Sequence, residues 1–454
     1  MHFETPRHPA RHWESTSKPG RIQCNLCPRH CKMIEGQYGF CRVRGQADGA
    51  LHTFNYGVSV SATLEYIETE AVYHYAPGAR ILSLGNIGCM MSCDFCQNWE
   101  TSQVKHLNER VVRHYTPEQV VQTALDSGCG IISWTYNDPV VWHEFVLDTS
   151  LLAQKAGIKT LYKSAFYIER EPVDELLEVI DIFSLSLKSL DPAFYLKVSK
   201  AKLEPVLERI VQVHQSNRHL EISQLLIPEL NDADEDVHNT VNWVVENLGT
   251  EVPLHFVGFH PAYKYLSVER TSLESLLRAR QHALDAGIRN CYLGNVYRDG
   301  VSDTHCAHCD NLLVSRFGLT VQSSGLHEDG RCNQCGAPSS IQLPQSGTAE
   351  NRILLNPKTQ RKLVWSGETN SIHVERPQAD EGSTDVLIEH ENGHREFFTL
   401  SNNLERAIVS RAGETDGAVT ISWSDDSPLK ILEVLDRAHF PVADDAELET
   451  TSNA

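Results

Sequence analysis

Eleven of the thirteen cysteines in this 454-residue chain fall in three tight groups. Cys24, Cys27, Cys31 and Cys41 form the first, Cys89, Cys93 and Cys96 the second, and Cys306, Cys309, Cys332 and Cys335 the third. Such spacing constrains the fold strongly, because thiols so placed must converge on a shared partner. Disulfide scaffolds of this density belong to short secreted chains, whereas clustered thiols in a long chain read as metal sites. Cys129 and Cys291 stand apart from the groups and read as packing residues.

The opening "MHFETPRHPARHWESTSKPGRI" lacks an apolar signal region. No stretch approaches the roughly 18 apolar residues of a membrane span. A cytoplasmic protein with no membrane role is therefore expected. Its net charge of −20 disfavours a binder of nucleic acid, which would carry a basic face. From residue 341 onward 20 acidic residues stand against 10 basic ones, so the tail reads as a separate module.

Between residues 80 and 299 the pattern alternates. "RILSLG", "GIISWTY", "IKTLYKS", "IDIFSLSLK", "LEISQLLI", "PLHFVGF" and "NCYLGN" read as buried strands, separated by segments with helical spacing. Thr116, Pro117 and Gln119 make a helix start with a capping box, and Gly157 ends the next helix. Seven such strands predict an α/β fold, a partial or closed parallel (β/α) barrel with right-handed crossovers. Chemistry in such barrels sits at the C-terminal strand ends, where the second cysteine group falls.

The rest divides by composition. Residues 1–20 are read as a flexible N-terminus, 21–79 as a four-cysteine module and connector, and 300–344 as a zinc-ribbon-like module. Residues 345–440 show short alternating runs, predicting a small acidic β-rich domain with one late helix near "PLKILEVLDRAHF". Residues 441–454 read as a disordered tail.

"GCMMSCDFCQNW" carries three thiols where zinc and most iron–sulfur centres take four. Three thiolates on a cubane cluster leave one iron open to a chelating small molecule. The C-x3-C-x-aromatic-C spacing, with Phe95 before the last cysteine, resembles the signature of the radical S-adenosylmethionine (radical SAM) superfamily. "CNLCPRHCKMIEGQYGFCRVR", "CQNWETSQ", "SWTYNDPVVWHEF", "VPLHFVGFHPAYK" and "YLGNVYRDGVSDTHCAHC" follow in the expected order. Together they resemble the radical SAM enzymes of the AmmeMemoRadiSam system, cousins of pyruvate formate-lyase activating enzyme. The resemblance covers residues 20–340.

The resemblance implies that Cys89, Cys93 and Cys96 hold a 4Fe-4S cluster at which S-adenosylmethionine is reductively split. The resulting 5′-deoxyadenosyl radical would take hydrogen from a substrate, most plausibly a protein or peptide. It also implies an electron donor such as flavodoxin or ferredoxin and a Memo-type partner. Tyr136, Asn137 and Asp138 fall where the family meets the amino group of S-adenosylmethionine, and Lys188 where a cation meets its carboxylate. His255, and less specifically His260, would face the adenosyl end. Ser186 replaces the usual acidic residue, and Thr69 and Glu70 a usual basic pair.

Cys306, Cys309, Cys332 and Cys335 form two C-x2-C arms, a zinc-ribbon or rubredoxin-type pattern with zinc favoured. Cys24, Cys27, Cys31 and Cys41 can close a saturated zinc or iron–sulfur site, with His30 a weaker stand-in for Cys41. "HENGH" at residues 390–394 matches a zinc-protease pattern, but Asn392-Gly393 between alternating runs signals a β-hairpin. Two rival functions remain: a glycyl-radical enzyme activase, and a metal-stabilised scaffold without chemistry.

Overall fold

The computed structural model describes residues 7–296, 298–343, 359–364, 369–376, 383–391, 394–410, 417–423 and 429–435. Seven strands form the parallel heart: Arg80–Gly85, Ile131–Thr135, Lys159–Ser164, Ile182–Ser186, His219–Leu226, Leu254–Gly258 and Cys291–Gly294. Each pairs in parallel with the next in chain order. Ile131–Thr135 is buried at every position, as a parallel strand covered on both faces must be. Among the described residues, Cys291–Gly294 pairs only with Leu254–Gly258, so the barrel is partial.

The helix starts and stops follow local chemistry. Thr116 caps helix Pro117–Asp126, its Oγ1 accepting from the Gln119 amide at 3.2 Å while Gln119 Oε1 accepts from the Thr116 amide at 2.8 Å. Helix His143–Lys155 ends just before Gly157, whose φ of 76° is the left-handed value a glycine tolerates.

Beyond the first barrel strand the sheet continues. Thr63–Tyr66 runs antiparallel to Arg80–Gly85, and Arg406–Ser410 from the acidic region pairs in parallel with it. Thr369–Glu375 and Lys430–Leu435 extend this edge. The late helix expected near residue 430 is therefore corrected for Lys430–Leu435, which is a strand. The open edge of Thr369–Glu375 supplies a ladder of hydrogen bonds that outweighs the local helical spacing. Residues 436–440 of that stretch, like the tail at 441–454, lie outside the described residues. A second, four-stranded antiparallel sheet is built from Thr359–Val364, Ala418–Trp423, Ser383–His390 and Arg395–Ser401.

The N-terminal reading also needs correction. Residues expected to be flexible from their polarity form short strands at His8–Pro9 and Trp13–Ser15, each paired to a neighbour. The Arg11 amide donates to Glu144 Oε1 at 2.7 Å, which ties this segment to the barrel. Polarity hid a partner that only the folded chain presents.

One buried arginine anchors each outer cysteine module. Arg44 forks onto Glu144 at 3.0 and 2.7 Å, with both side chains 3% exposed or less. Arg316 donates to the Tyr73 carbonyl at 2.6 Å and Thr304 Oγ1 at 2.8 Å, 3.6 Å from Glu68. Glu144 is held down to about 2: burial alone would raise it, but the Arg44 charge prevails.

Candidate functional site

Cys89, Cys93 and Cys96 lie on the loop after the first barrel strand. That loop is pinned from outside: the Asp94 amide donates to the Val198 carbonyl at 3.0 Å, and Asp94 pairs with Lys264 at 2.7 Å and Lys200 at 3.1 Å. The Met91 amide donates to Cys89 Sγ at 3.3 Å, and Ser102 Oγ lies 3.4 Å from Cys96 Sγ. Such contacts favour thiolates, whereas burial pushes all three thiols up.

All three cysteines line one cavity of about 230 Å³, together with Asn137, Asp138 and Lys188. A larger cavity of about 390 Å³ shares Cys93, Cys96, Tyr136 and Lys188 and adds Phe95 and His255. Both open at the C-terminal strand ends. Ser371, His373 and Ile408 of the acidic region complete the wall of the larger one.

The expected residues meet here with differing freedom. Lys188 Nζ stands 5.5 Å above the Phe95 ring, facing the cysteine loop. Asp138 accepts from Ser164 Oγ and the Ala165 amide, both at 2.8 Å, and caps the turn Pro139–Trp142. Burial raises its pKa, against those hydrogen bonds. Asn137 donates to Thr101 Oγ1 at 2.9 Å and to the Asn86 carbonyl, tying the second strand end to the cysteine loop. Tyr136 adopts φ 63°, a strained value for a non-glycine. Asn98 donates to its carbonyl at 2.6 Å and its hydroxyl donates to Glu65 at 2.9 Å, which holds that conformation.

His255 lines the larger cavity with its Nε2 2.6 Å from Glu221. Glu221 also accepts from the Tyr73 and His74 amides at 2.9 and 2.8 Å. Burial alone would raise the Glu221 carboxyl, yet hydrogen bonds from His219 and His255 hold it well below its usual range. His260 is half-buried beyond the strand and does not line either cavity. Ser186 bonds Ser223 at 3.2 Å. Thr69 donates to the Tyr66 carbonyl at 2.7 Å, and Glu70 accepts from Ser133 and Thr135 at 3.0 and 2.8 Å inside the barrel.

Sequence reasoning missed Lys163, Glu65, Glu221 and Tyr73. Lys163 lines both cavities and donates to Ser184, Ser223 and the Glu70 carbonyl at 3.0, 3.0 and 3.1 Å. Burial pulls its pKa down to about 8, with the Glu70 charge opposing. Burial, then the neighbouring Glu70, pushes Glu65 up to about 8. The available signal was a charge inside a buried strand, as in "TLYKS" and "LEISQLLI".

The outer groups are sited apart. Cys306 and Cys335 sulfurs are 3.7 Å apart, as are those of Cys309 and Cys332. Cys24, Cys27, Cys31 and Cys41 ring a separate small cavity, while His30 turns to Glu169 at 3.0 Å. His390 and His394 straddle a hairpin closed by the His390 amide on the His394 carbonyl at 2.9 Å, although Asn392-Gly393 lies outside the described residues.

The chain is thus an α/β protein whose partial parallel barrel presents three thiols, lining one cavity, at its C-terminal strand ends. The chain belongs to the radical SAM superfamily, whose family description matches residues 86–244. It is 36% identical over 324 residues to an uncharacterized protein of Methanocaldococcus jannaschii, covering 71% of this chain and 96% of that one. It is 26% identical over 191 residues to the pyruvate formate-lyase 1-activating enzyme of Escherichia coli, covering 40% of this chain and 77% of that one. A radical SAM methyltransferase from Sphaerobacter thermophilus is similar in structure at TM-score 0.39 and 15% identity, covering 68% of this chain and 81% of that one. Among the described residues no helix is long and apolar enough to cross a membrane.

Proposed function

We propose that this chain reductively cleaves S-adenosylmethionine at a 4Fe-4S cluster on Cys89, Cys93 and Cys96 and abstracts hydrogen from a protein or peptide. The observation that carries this is three thiols, with no fourth, lining one cavity beside Lys188 and Asp138. That donor set fits a cluster with one iron left for a chelating ligand. When bound, the cluster supplies the electron that breaks the sulfonium bond.

The residues around it bind, orient and shield. Lys188 offers a cation to a carboxylate, and the Tyr136–Asp138 strand end offers acceptors to an ammonium. The apolar wall at Phe95 keeps water from the reacting centre, as radical chemistry requires. His255 is held in one orientation by Glu221 and presents its ring to the larger cavity. Lys163 and Glu65, buried with pKa values moved toward neutrality, are placed to position polar atoms of a substrate.

The N-terminal motif and its order favour the AmmeMemoRadiSam branch, with a Memo-type protein as functional partner and flavodoxin or ferredoxin as electron donor. A glycyl-radical activase is the second reading, favoured by the similarity to activating enzymes of that name. The test is anaerobic reconstitution with reductant and S-adenosylmethionine. Formation of 5′-deoxyadenosine by the wild type and none by Cys93→Ala is expected. Equal, background-level product from both would sink the reading. A backbone radical appearing in a glycyl-radical partner would select the activase.

A further inference from the structure

Away from the barrel mouth, three side chains from distant parts of the chain converge on one point. His12 lies in the N-terminal segment, His143 opens the helix His143–Lys155, and Glu175 lies on the helix Arg170–Val179. His12 Nε2 stands 3.0 Å and His143 Nε2 2.8 Å from the same oxygen, Glu175 Oε2. The two rings meet edge to face at 69°, with centroids 5.2 Å apart. One ligand atom from each residue lies within 4.8 Å of the other two. Zn–N and Zn–O bonds of about 2.1 Å at tetrahedral angles set ligand atoms about 3.4 Å apart, so one ion enters this set if the atoms spread by about half an ångström.

The surroundings hold the set in place. Glu175 Oε1, the other oxygen, accepts from Arg11 Nη1 at 3.2 Å, which leaves Oε2 as the ligating atom. An outer partner of this kind orients a carboxylate ligand. His12 adopts φ 56°, a left-handed value for a non-glycine, and its carbonyl accepts from the Asn25 amide at 2.6 Å. Strain held by its surroundings in this way gathers at functional sites. His143 is fully buried and His12 largely so, whereas Glu175 is 34% exposed and gives an ion a way in from solvent. Glu144, beside His143 in the chain, is already committed to Arg44 and the Arg11 amide and does not compete for the ion. A similar trio at His390, His394 and Glu396 is looser. There His394 Nε2 stands 4.0 Å from Glu396, whose carboxylate also accepts from Arg80 and Tyr66 at 2.7 Å.

We propose that His12, His143 and Glu175 bind one divalent transition-metal ion, zinc by preference, which staples the N-terminal segment to two barrel helices. Two imidazoles and a carboxylate are donors suited to zinc, and three protein ligands leave a position for water. Each imidazole presents its Nε2 lone pair and keeps its proton on Nδ1. Among the described residues none bonds His143 Nδ1, so the tautomer of that ring is set at Nε2 alone. Trp13, next to His12, pairs with Cys24, so the staple also bears on the strand that enters the first cysteine group. The proposal is independent of the chemistry at the three-cysteine loop.

The test counts zinc on the full chain, reconstituted anaerobically so that its cysteine groups are already loaded. At low micromolar free zinc, wild type is expected to take up about one more ion per chain than His12→Gln or Glu175→Gln, read by equilibrium dialysis and metal analysis. Cobalt offered in place of zinc should give weak visible bands without thiolate charge transfer, absent from both variants. Equal uptake by wild type and variants, or uptake only at millimolar zinc, would overturn the metal site and leave a hydrogen-bonded clamp. For the staple, hydrogen exchange of the Arg11 and Asn25 amides should slow about 100-fold in wild type at zinc about 100 times its dissociation constant. No slowing in wild type, or the same slowing in Glu175→Gln, would refute it. Should the variants fail to fold, the cobalt spectrum of wild type decides alone: bands free of thiolate charge transfer support the site, and thiolate bands only overturn it.

Discussion

The two four-cysteine modules use the same residue type, and each carries a buried arginine beside a buried glutamate, yet they are built differently. The C-terminal one is tight, with Cys306 and Cys332 buried and Cys335 exposed. The N-terminal one rings a small cavity completed by apolar side chains, and its backbone touches the three-cysteine loop. Ligand count alone therefore does not specify a metal site. Sulfur spacing and the surroundings do.

The largest effect should come from breaking the N-terminal anchor. Arg44→Met leaves the Glu144 carboxylate buried without its partner, and removing one member of such a pair costs about 3–5 kcal/mol. Denaturant titration should read that loss, together with lower iron retention. Arg316→Met removes charged hydrogen bonds with a looser ionic partner, at about 2–3 kcal/mol. If both variants lost the same stability, the two anchors would not differ as their geometry indicates.

A chelator should sharpen the contrast without mutation. Metal is expected to leave the C-terminal group, where Cys335 is exposed, before the N-terminal one under EDTA, read by metal analysis over time. The reverse order of loss would show that the exposed Cys335 does not control release. A pH-dependent effect lies at Glu65, beside the barrel cavity. Its folded pKa of about 8 exceeds the ordinary 4.5, so the folded chain holds an extra proton between those values. Stability due to this group is full below pH 4.5, falls as pH rises to about 8, and is level above. Glu65→Gln should flatten that decline, measured as denaturation midpoints at pH 5 and pH 8.

Much of this was legible locally. The capping box at Thr116 and Gln119, the glycine stop at Gly157 and the buried runs of the seven strands are short-range signals, and each is realised in place. The three-cysteine loop was legible as a cluster, and its three thiols line one cavity. The strand Lys430–Leu435 was not, since its edge partner is 55 or more residues away in the chain. Nor were Lys163, which the barrel turns toward both cavities, and Glu221, which holds His255.

Sequence alone determined the elements, their order and the inventory of thiols, because caps, turns and ligand spacing act over a few residues. Tertiary structure decided how close the C-terminal thiols stand, that Glu65 is buried with a raised pKa, and that the N-terminal module meets the three-cysteine loop at Gly88 and Met90. Those properties depend on packing between segments remote in the chain, where burial and close approach, rather than local propensity, set the energies.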